Sequence, residues 1–282
     1  MKPTLMRLAY FPGCKIHFHL KSYGEAVEAV MKHLGVTLVR LPFNCCGNPA
    51  RGKNLTASVM AAVRNIALAQ AQGLDIFTPC KCCFGQLKHG IHWYETDPWI
   101  REQVDQALAE EGLVFEPQRP VSIRHFLDFL YHDLGPERLA RLIKVPLGPG
   151  KIVLQQGCHA LRPYSITRFD NPFAPKMFRE LAILTGLGVL DWAKETECCG
   201  DPAAETNGDL AFRIRQDKLA HARRAGADYI CTACTHCQIQ YERGQYDRVQ
   251  YEREKENKKN IRAMPFAVFL GAALGINKID DN

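Results

Sequence analysis

Ten of the twelve cysteines in this 282-residue chain fall into one order that is written twice. A lone cysteine follows a glycine at Gly13-Cys14, a pair runs Cys45-Cys46-Gly47 with Pro49 close behind, and a C-x-x-C is made by Cys80 and Cys83. The same order returns as Gly157-Cys158, as Cys198-Cys199-Gly200 with Pro202, and as Cys234 with Cys237. Cys14 to Cys158 is 144 residues, Cys45 to Cys198 is 153 and Cys80 to Cys234 is 154, so order and spacing are both kept. Thiolates are ligands for soft metals, and each copy brings five of them from three separated segments. A structural zinc tetrahedron takes four ligands and leaves one sulfur unused. A polynuclear iron–sulfur centre uses all five, because several irons need several sulfurs. Free or disulfide-forming thiols are the remaining reading.

Neighbouring residues in a strand point to opposite faces, so the sulfurs of Cys45 and Cys46 converge only if the backbone leaves the strand. Gly47 and Pro49 suit such a turn, as do Gly200 and Pro202, and the two glycines are expected beside the bound group. A C-x-x-C spans about one helical turn; at a helix N-terminus the dipole and the free N–H groups also favour thiolates. Cys82 and Cys231 have no counterpart in the other copy. Cys82 is read as a bystander rather than a ligand, and Cys231, in an apolar strand, as a core residue. His17, His19 and His159 follow the lone cysteines and are read as packing or surface residues before proton donors. His236 lies inside the second C-x-x-C and must sit near its centre.

The segments between the cysteines repeat as well. Gly24 to Leu34 and Lys176 to Leu184 carry apolar residues at helical spacing. Thr37 to Leu41 and Gly188 to Trp192 then read as strands. Helices follow over Leu55 to Gln72 and Asp209 to Ala225, with Gly73 and Gly226 as C-terminal stops. Strands Leu8 to Phe11, Asp75 to Thr78 and Asp228 to Thr232 complete a strand–helix–strand–helix–strand pattern in each half. This predicts an α/β protein of two pseudo-symmetric lobes, each a small parallel sheet with right-handed crossovers, flanked by helices and holding one cysteine repeat. In such sheets ligands sit beyond the carboxyl ends of the strands, where all three cysteine elements of each copy fall. Trp99 to Gly148 reads as mostly helical, its helix Ile123 to His132 matching Phe266 to Leu274. The expected domains are residues 1–148, with the helical connector, and 149–282.

Composition narrows the setting. Hydrophobic residues make up 46% of the chain, enough for one large or two medium cores. Twelve cysteines in 282 residues are well under the roughly 8–10% that marks a secreted disulfide scaffold. The start of the chain reads as strand rather than as a signal peptide, so the expected location is a reducing cytoplasm, peripheral to a membrane only through partners. The apolar stretch Met264 to Ile276 contains Pro265, Gly271 and Gly275 and is too short to span a bilayer. The net charge of +6 includes the run Arg253 to Arg262 and reads as solvated surface. No aromatic–basic interleaving or finger pattern supports nucleic-acid binding.

The repeated order of lone Cys, C-C-G and C-x-x-C resembles the CCG cysteine-rich domain. Two copies at this length resemble the B-type subunits of heterodisulfide reductase, from Tyr10 to about Gly275. The resemblance implies that each five-cysteine set holds a noncubane [4Fe-4S] cluster, two in all, and that a thiol/disulfide or sulfane-sulfur substrate reacts there. Electrons reach the clusters, iron captures the thiolates of a cleaved S–S bond, and protons release the thiols; the reverse direction uses the same parts. It also implies partners: a subunit with cubane iron–sulfur clusters (C-like) and a flavin subunit (A-like), as in bacterial sulfur-oxidising complexes of the heterodisulfide-reductase type. The alternative is an electron-transfer or anchoring subunit beside a succinate, glycolate or lactate dehydrogenase.

Overall fold

In a computed structural model residues 6–246 and 261–276 are described. The basic run expected over 253–262 lies outside them up to position 260. The first lobe runs β1 (Met6–Tyr10), α1 (Cys14–Phe18), α2 (Lys21–His33), β2 (Val36–Arg40), α3 (Leu55–Ala71), β3 (Ile76–Thr78), α4 (Lys81–Thr96), α5 (Pro98–Glu110), β4 (Ile123–His125), α6 (Phe126–Asp128) and α7 (Pro136–Leu142). The second runs β5 (Lys151–Gln155), α8 (Cys158–Leu161), α9 (Tyr164–Thr167), α10 (Met177–Leu184), β6 (Gly188–Val189), α11 (Gly208–Arg224), β7 (Tyr229–Thr232), α12 (Thr235–Tyr246), β8 (Arg262–Pro265) and α13 (Phe266–Ala273).

Each lobe holds a four-stranded sheet, ordered β2-β1-β3-β4 and β6-β5-β7-β8, with every pairing parallel. Parallel strands bury both faces, which is why β1 and β5 end in runs such as Leu8-Ala9-Tyr10 and Ile152-Val153-Leu154, all nearly inaccessible. The long helices begin alike: Asn54 caps α3 by accepting from the Ala57 N–H at 2.9 Å, and Asn207 caps α11 by accepting from Leu210 at 3.0 Å.

The fourth strand of each sheet corrects the sequence reading. Ile123–His125 is not the start of a helix but strand β4, paired in register with Ile76–Thr78, and the helix begins only at Phe126. Ile123, Phe126, Leu127 and Leu130 recur at helical spacing, which disguised a three-residue strand as a helical turn. Arg262–Pro265 is the matching strand β8. The expected strand Gly188 to Trp192 shortens to Gly188–Val189, the chain leaving the sheet edge before Trp192.

The lobes exchange helices. α13 packs on α2 of the first lobe, while α10, the second lobe's equivalent of α2, packs on α6 and α7. The buried face of α2 is Tyr23, Val27, Val30 and Met31, and burying each aliphatic side chain contributes about 1.5–3 kcal/mol. Tyr23 also donates its hydroxyl to the Pro79 carbonyl at 2.9 Å, and Lys144 N–H donates to the Ala273 carbonyl at 2.9 Å. The carboxyl ends of the two sheets meet between the lobes, where His125 Nε2 lies 3.0 Å from the Ala233 carbonyl.

Candidate metal centre

Every sequence-predicted ligand cysteine lies beyond the carboxyl end of a strand, directly after it or on the loop that follows. Cys14 opens α1 just past β1, and Cys158 opens α8 just past β5. Cys80 is the N-cap of α4, its sulfur accepting from the Cys83 N–H at 3.4 Å; Cys83 lies one turn in. Cys234 and Cys237 repeat this at the start of α12. The paired cysteines sit on loops that leave the sheet, as both sulfurs require. Gly47 and Gly200 make the turns with φ of 88° and 90°, a conformation open to glycine and strained for other residues. Asn65 pins the first loop, accepting from Asn44 N–H at 3.0 Å and donating to the Cys45 carbonyl at 3.2 Å. Gly13 leaves room for its neighbour across the site: a Cβ there would stand 2.8 Å from Cys83 Sγ.

These placements string ten sulfurs into one contact chain. Hydrogen-bonded neighbours run Cys14, Cys45, Cys46, Cys83, Cys80 in the first lobe. They run Cys158, Cys198, Cys199, Cys237, Cys234 in the second. The two halves join where Cys80 Sγ meets Cys234 Sγ at 4.0 Å, with Thr235 donating its hydroxyl to Cys80 Sγ at 3.0 Å. Among the described residues no three His, Cys, Asp or Glu converge as the ligands of one ion do. A line of five sulfurs per lobe, without a carboxylate among them, suits a centre of several metal atoms better than a single closed tetrahedron.

The thiols do not share protons evenly. Hydrogen bonds from Cys14 and then Cys46 hold Cys45 down to about 2, and Cys158 and then Cys199 do the same for Cys198. Cys14 and Cys158 are pushed up for the same reason, and burial raises Cys80 to about 12. Binding metal needs every one of them as thiolate, so uptake here releases the protons that the raised thiols hold.

Among the described residues two openings reach the sulfurs. A pocket of about 420 Å³ beside Cys14 and Cys45 is walled by Phe11, Phe18 and Phe43, with Arg40 and His17 at its rim. A smaller cavity of about 50 Å³ lies against Cys158, Cys199, Cys234 and Cys237. His236 lines it as expected, its Nδ1 2.6 Å from Asp201 Oδ2. Cys82 makes none of the sulfur contacts of its own lobe. It crosses to this second cavity, where its Sγ lies 3.0 Å from His159 Nδ1. Cys231 is buried in β7, as read, and His17 and His19 are exposed. Asn65, Asp201 and the buried Lys81 and Lys218 belong to the site without having been foreseen; nothing in the local sequence of the lysines separates them from surface lysines.

Comparison with known proteins agrees with this architecture. The CCG cysteine-rich domain family matches residues 8–88 and 152–242. The B-type chain of the Ferredoxin/F(420)H(2)-dependent CoB-CoM heterodisulfide reductase of Methanosarcina acetivorans is 32% identical, covering 97% of this chain and 91% of its own. The 8-methylmenaquinol:fumarate reductase membrane anchor subunit of Wolinella succinogenes is 27% identical, over 95% of this chain and 92% of its own. A hypothetical protein from Helicobacter pylori shares the fold with a TM-score of 0.69 at 13% identity, over 96% of this chain, which spans about half (49%) of that protein. Among the described residues no helix is long and apolar enough to cross a membrane.

Proposed function

This chain belongs to the CCG cysteine-rich domain family, and we propose that it is the iron–sulfur subunit at which a larger oxidoreductase makes or cleaves S–S bonds. The observation that carries this reading is the unbroken run of ten sulfurs, joined between the lobes at Cys80 and Cys234. Cys14, Cys45, Cys46, Cys80 and Cys83 hold one noncubane [4Fe-4S] cluster, and Cys158, Cys198, Cys199, Cys234 and Cys237 hold the other. Bound clusters supply one-electron storage and iron that takes up sulfur. The chain's own residues do the rest. Gly47 and Gly200 turn the paired cysteines inward, Asn65 fixes the first loop, and His236 with Asp201 sets a hydrogen-bonded wall on the second site. The domain boundary falls near Gly148.

In the reductive direction one S–S bond breaks, two electrons and two protons are taken up, and two thiols leave. Oxidation of two thiols is the same balance reversed, and the poise of the partners sets the direction. The electrons pass through a partner with cubane clusters and a flavin subunit, and the setting is a reducing cytoplasm, where clustered thiols bind metal rather than pair as disulfides. A second reading, an electron-transfer or anchoring subunit without sulfur chemistry of its own, draws support from the fumarate reductase relative. An anaerobic assay with reduced methyl viologen and a set of low-molecular-weight disulfides separates them. One disulfide consumed and two thiols formed per two electrons supports the first reading. Oxidation of the dye only by a protein partner, with every disulfide inert, supports the second.

A further inference from the structure

The two cysteine sets correspond position by position, but their surroundings do not, and the differences sort onto opposite sides. Tyr10-Phe11-Pro12-Gly13-Cys14 in the first lobe matches Leu154-Gln155-Gln156-Gly157-Cys158 in the second. In the first lobe this stretch borders the open aromatic pocket beside Cys14 and Cys45. In the second lobe side chains cover much of the matching face, with Cys158 and Cys198 left partly accessible. Trp192 folds over it with its indole N–H on the Leu154 carbonyl at 2.9 Å. Gln156 donates to Glu195 Oε1 at 2.8 Å, and Gln155 to the Glu197 carbonyl at 3.0 Å, lacing the loop before Cys198 onto β5. Phe11 and Pro12 can make no such side-chain bonds, so their side stays open.

The buried charges sort the other way. Asn65 and Lys218 occupy the same place, twenty residues past Cys45 and past Cys198. Asn65 donates to the backbone of the first cysteine loop at the Asn44 and Cys45 carbonyls. Lys218 donates to that of the second, at the Lys194 carbonyl (2.6 Å) and the Glu197 carbonyl (3.0 Å), 5.0 Å from the centroid of the Trp192 ring. Likewise Thr235, after Cys234, offers a neutral hydroxyl to Cys80 of the first set, whereas Lys81, after Cys80, lines the cavity of the second. The Lys81 ammonium is fully buried, bonded to the Gln156 carbonyl and 4.8 Å from the centroid of the Phe178 ring. Carbonyl oxygens and ring faces are the partners a buried cation needs. The carboxylates near the lysines are engaged elsewhere: Asp170 accepts from the Asn171, Lys176 and Met177 N–H groups, Glu197 pairs with Lys194, and Asp201 lies against His236.

We propose that the two sets divide the work: the first receives the sulfur substrate, a low-molecular-weight thiol or disulfide with an apolar body, and the second holds the electrons. The pocket's size, about 420 Å³, suits a small organic molecule. Its three aromatic walls select an apolar body, and it ends on two partly buried cysteines of the first set. At the second set two ammonium groups in a medium of low dielectric favour the more negative, reduced state. The inference rests on the iron–sulfur reading above.

The test uses the whole iron-loaded chain under anaerobic conditions, with iron analysis first, then potentiometric titration followed by EPR. Two couples are expected. Lys218→Asn copies the first lobe and lowers the higher couple by a tenfold change in its equilibrium, about 59 mV for one electron, leaving the lower couple in place; Lys218→Arg restores it. Benzyl mercaptan perturbs only the lower, Lys218-insensitive signal, and Phe18→Asp, at a side chain 79% exposed and so free of the core, weakens that effect about tenfold in thiol concentration. The proposal is overturned if Lys218→Asn moves neither couple or both alike, or if the thiol perturbs the Lys218-sensitive signal. A chain that takes up no iron overturns the underlying reading with it, and the initial iron analysis tells that failure from the others.

Discussion

Replacing Gly47 and Gly200 by alanine, one at a time, sets a geometric argument against an internal control. Both glycines turn the paired-cysteine loop at nearly the same φ, 88° and 90°, so an added Cβ strains each backbone by about 1–2 kcal/mol. The surroundings differ. At Gly47 the new Cβ would stand 2.4 Å from the Ser58 carbonyl oxygen and 3.1 Å from Ala61 Cβ, both on α3. Ser58 cannot easily retreat, because its hydroxyl donates to the Gly47 carbonyl and accepts from Gln86 Nε2, each at 2.8 Å. Overpacking of that kind adds about 1–3 kcal/mol. At Gly200 the nearest atoms, Ala211 O and Ile214 Cγ2, are both 3.2 Å away, and a shift of a few tenths of an ångström relieves them. Gly47→Ala should therefore destabilise by about 2–5 kcal/mol and Gly200→Ala by about 1–2. Urea midpoints read the stability, and iron content after anaerobic loading reads the site. Gly47→Ala is expected to lose about half its iron while Gly200→Ala keeps most of it. Equal losses, or a larger loss at Gly200, would refute the claim that the first loop is the more tightly packed of the two.

Other outcomes follow from the same geometry. Cys83→Ala should remove about half the iron, whereas Cys82→Ala and Cys231→Ala should leave iron content near that of the parent protein; loss of iron with Cys82→Ala would make it a ligand. Asn54→Ala and Asn207→Ala should each lower stability by about 1 kcal/mol in urea unfolding, because each uncaps a long helix; no loss in either would mean that the caps hold nothing. Burial, and then Lys81, hold His125 down to about 3 from its ordinary 6.5. The unfolded chain then binds a proton the folded chain refuses. Stability from this site is fully present above about pH 6.5 and drains as pH falls toward about 3, by up to about 1.4 kcal/mol per pH unit. Urea midpoints at about pH 7 and 5 should fall less for His125→Gln than for the parent protein, and equal falls would contradict this.

The cysteine order was legible because each element recurs with its neighbours, and so were the strands and helices whose apolar period runs long enough to be read. Strand β4 was not. Three residues are too few to show a period of two, and the helix that follows lent Ile123 its own spacing. The exchange of α13 and α10 between lobes was equally hidden, since local periodicity gives a buried face without saying what covers it. Lys81 and Lys218 read as surface charge, because burial of a cation is decided by distant partners such as the Gln156 and Glu197 carbonyls. Cys82 reads in the sequence as a bystander, and its Sγ meets His159 of the other lobe. Its contact with His159 belongs to tertiary structure alone.

The most direct measurement is the iron and zinc content of anaerobically purified protein, taken with its visible spectrum. Two clusters predict about eight irons per chain and a broad brown absorbance. Two zinc ions and a colourless protein would contradict the iron–sulfur reading and leave a structural module in its place.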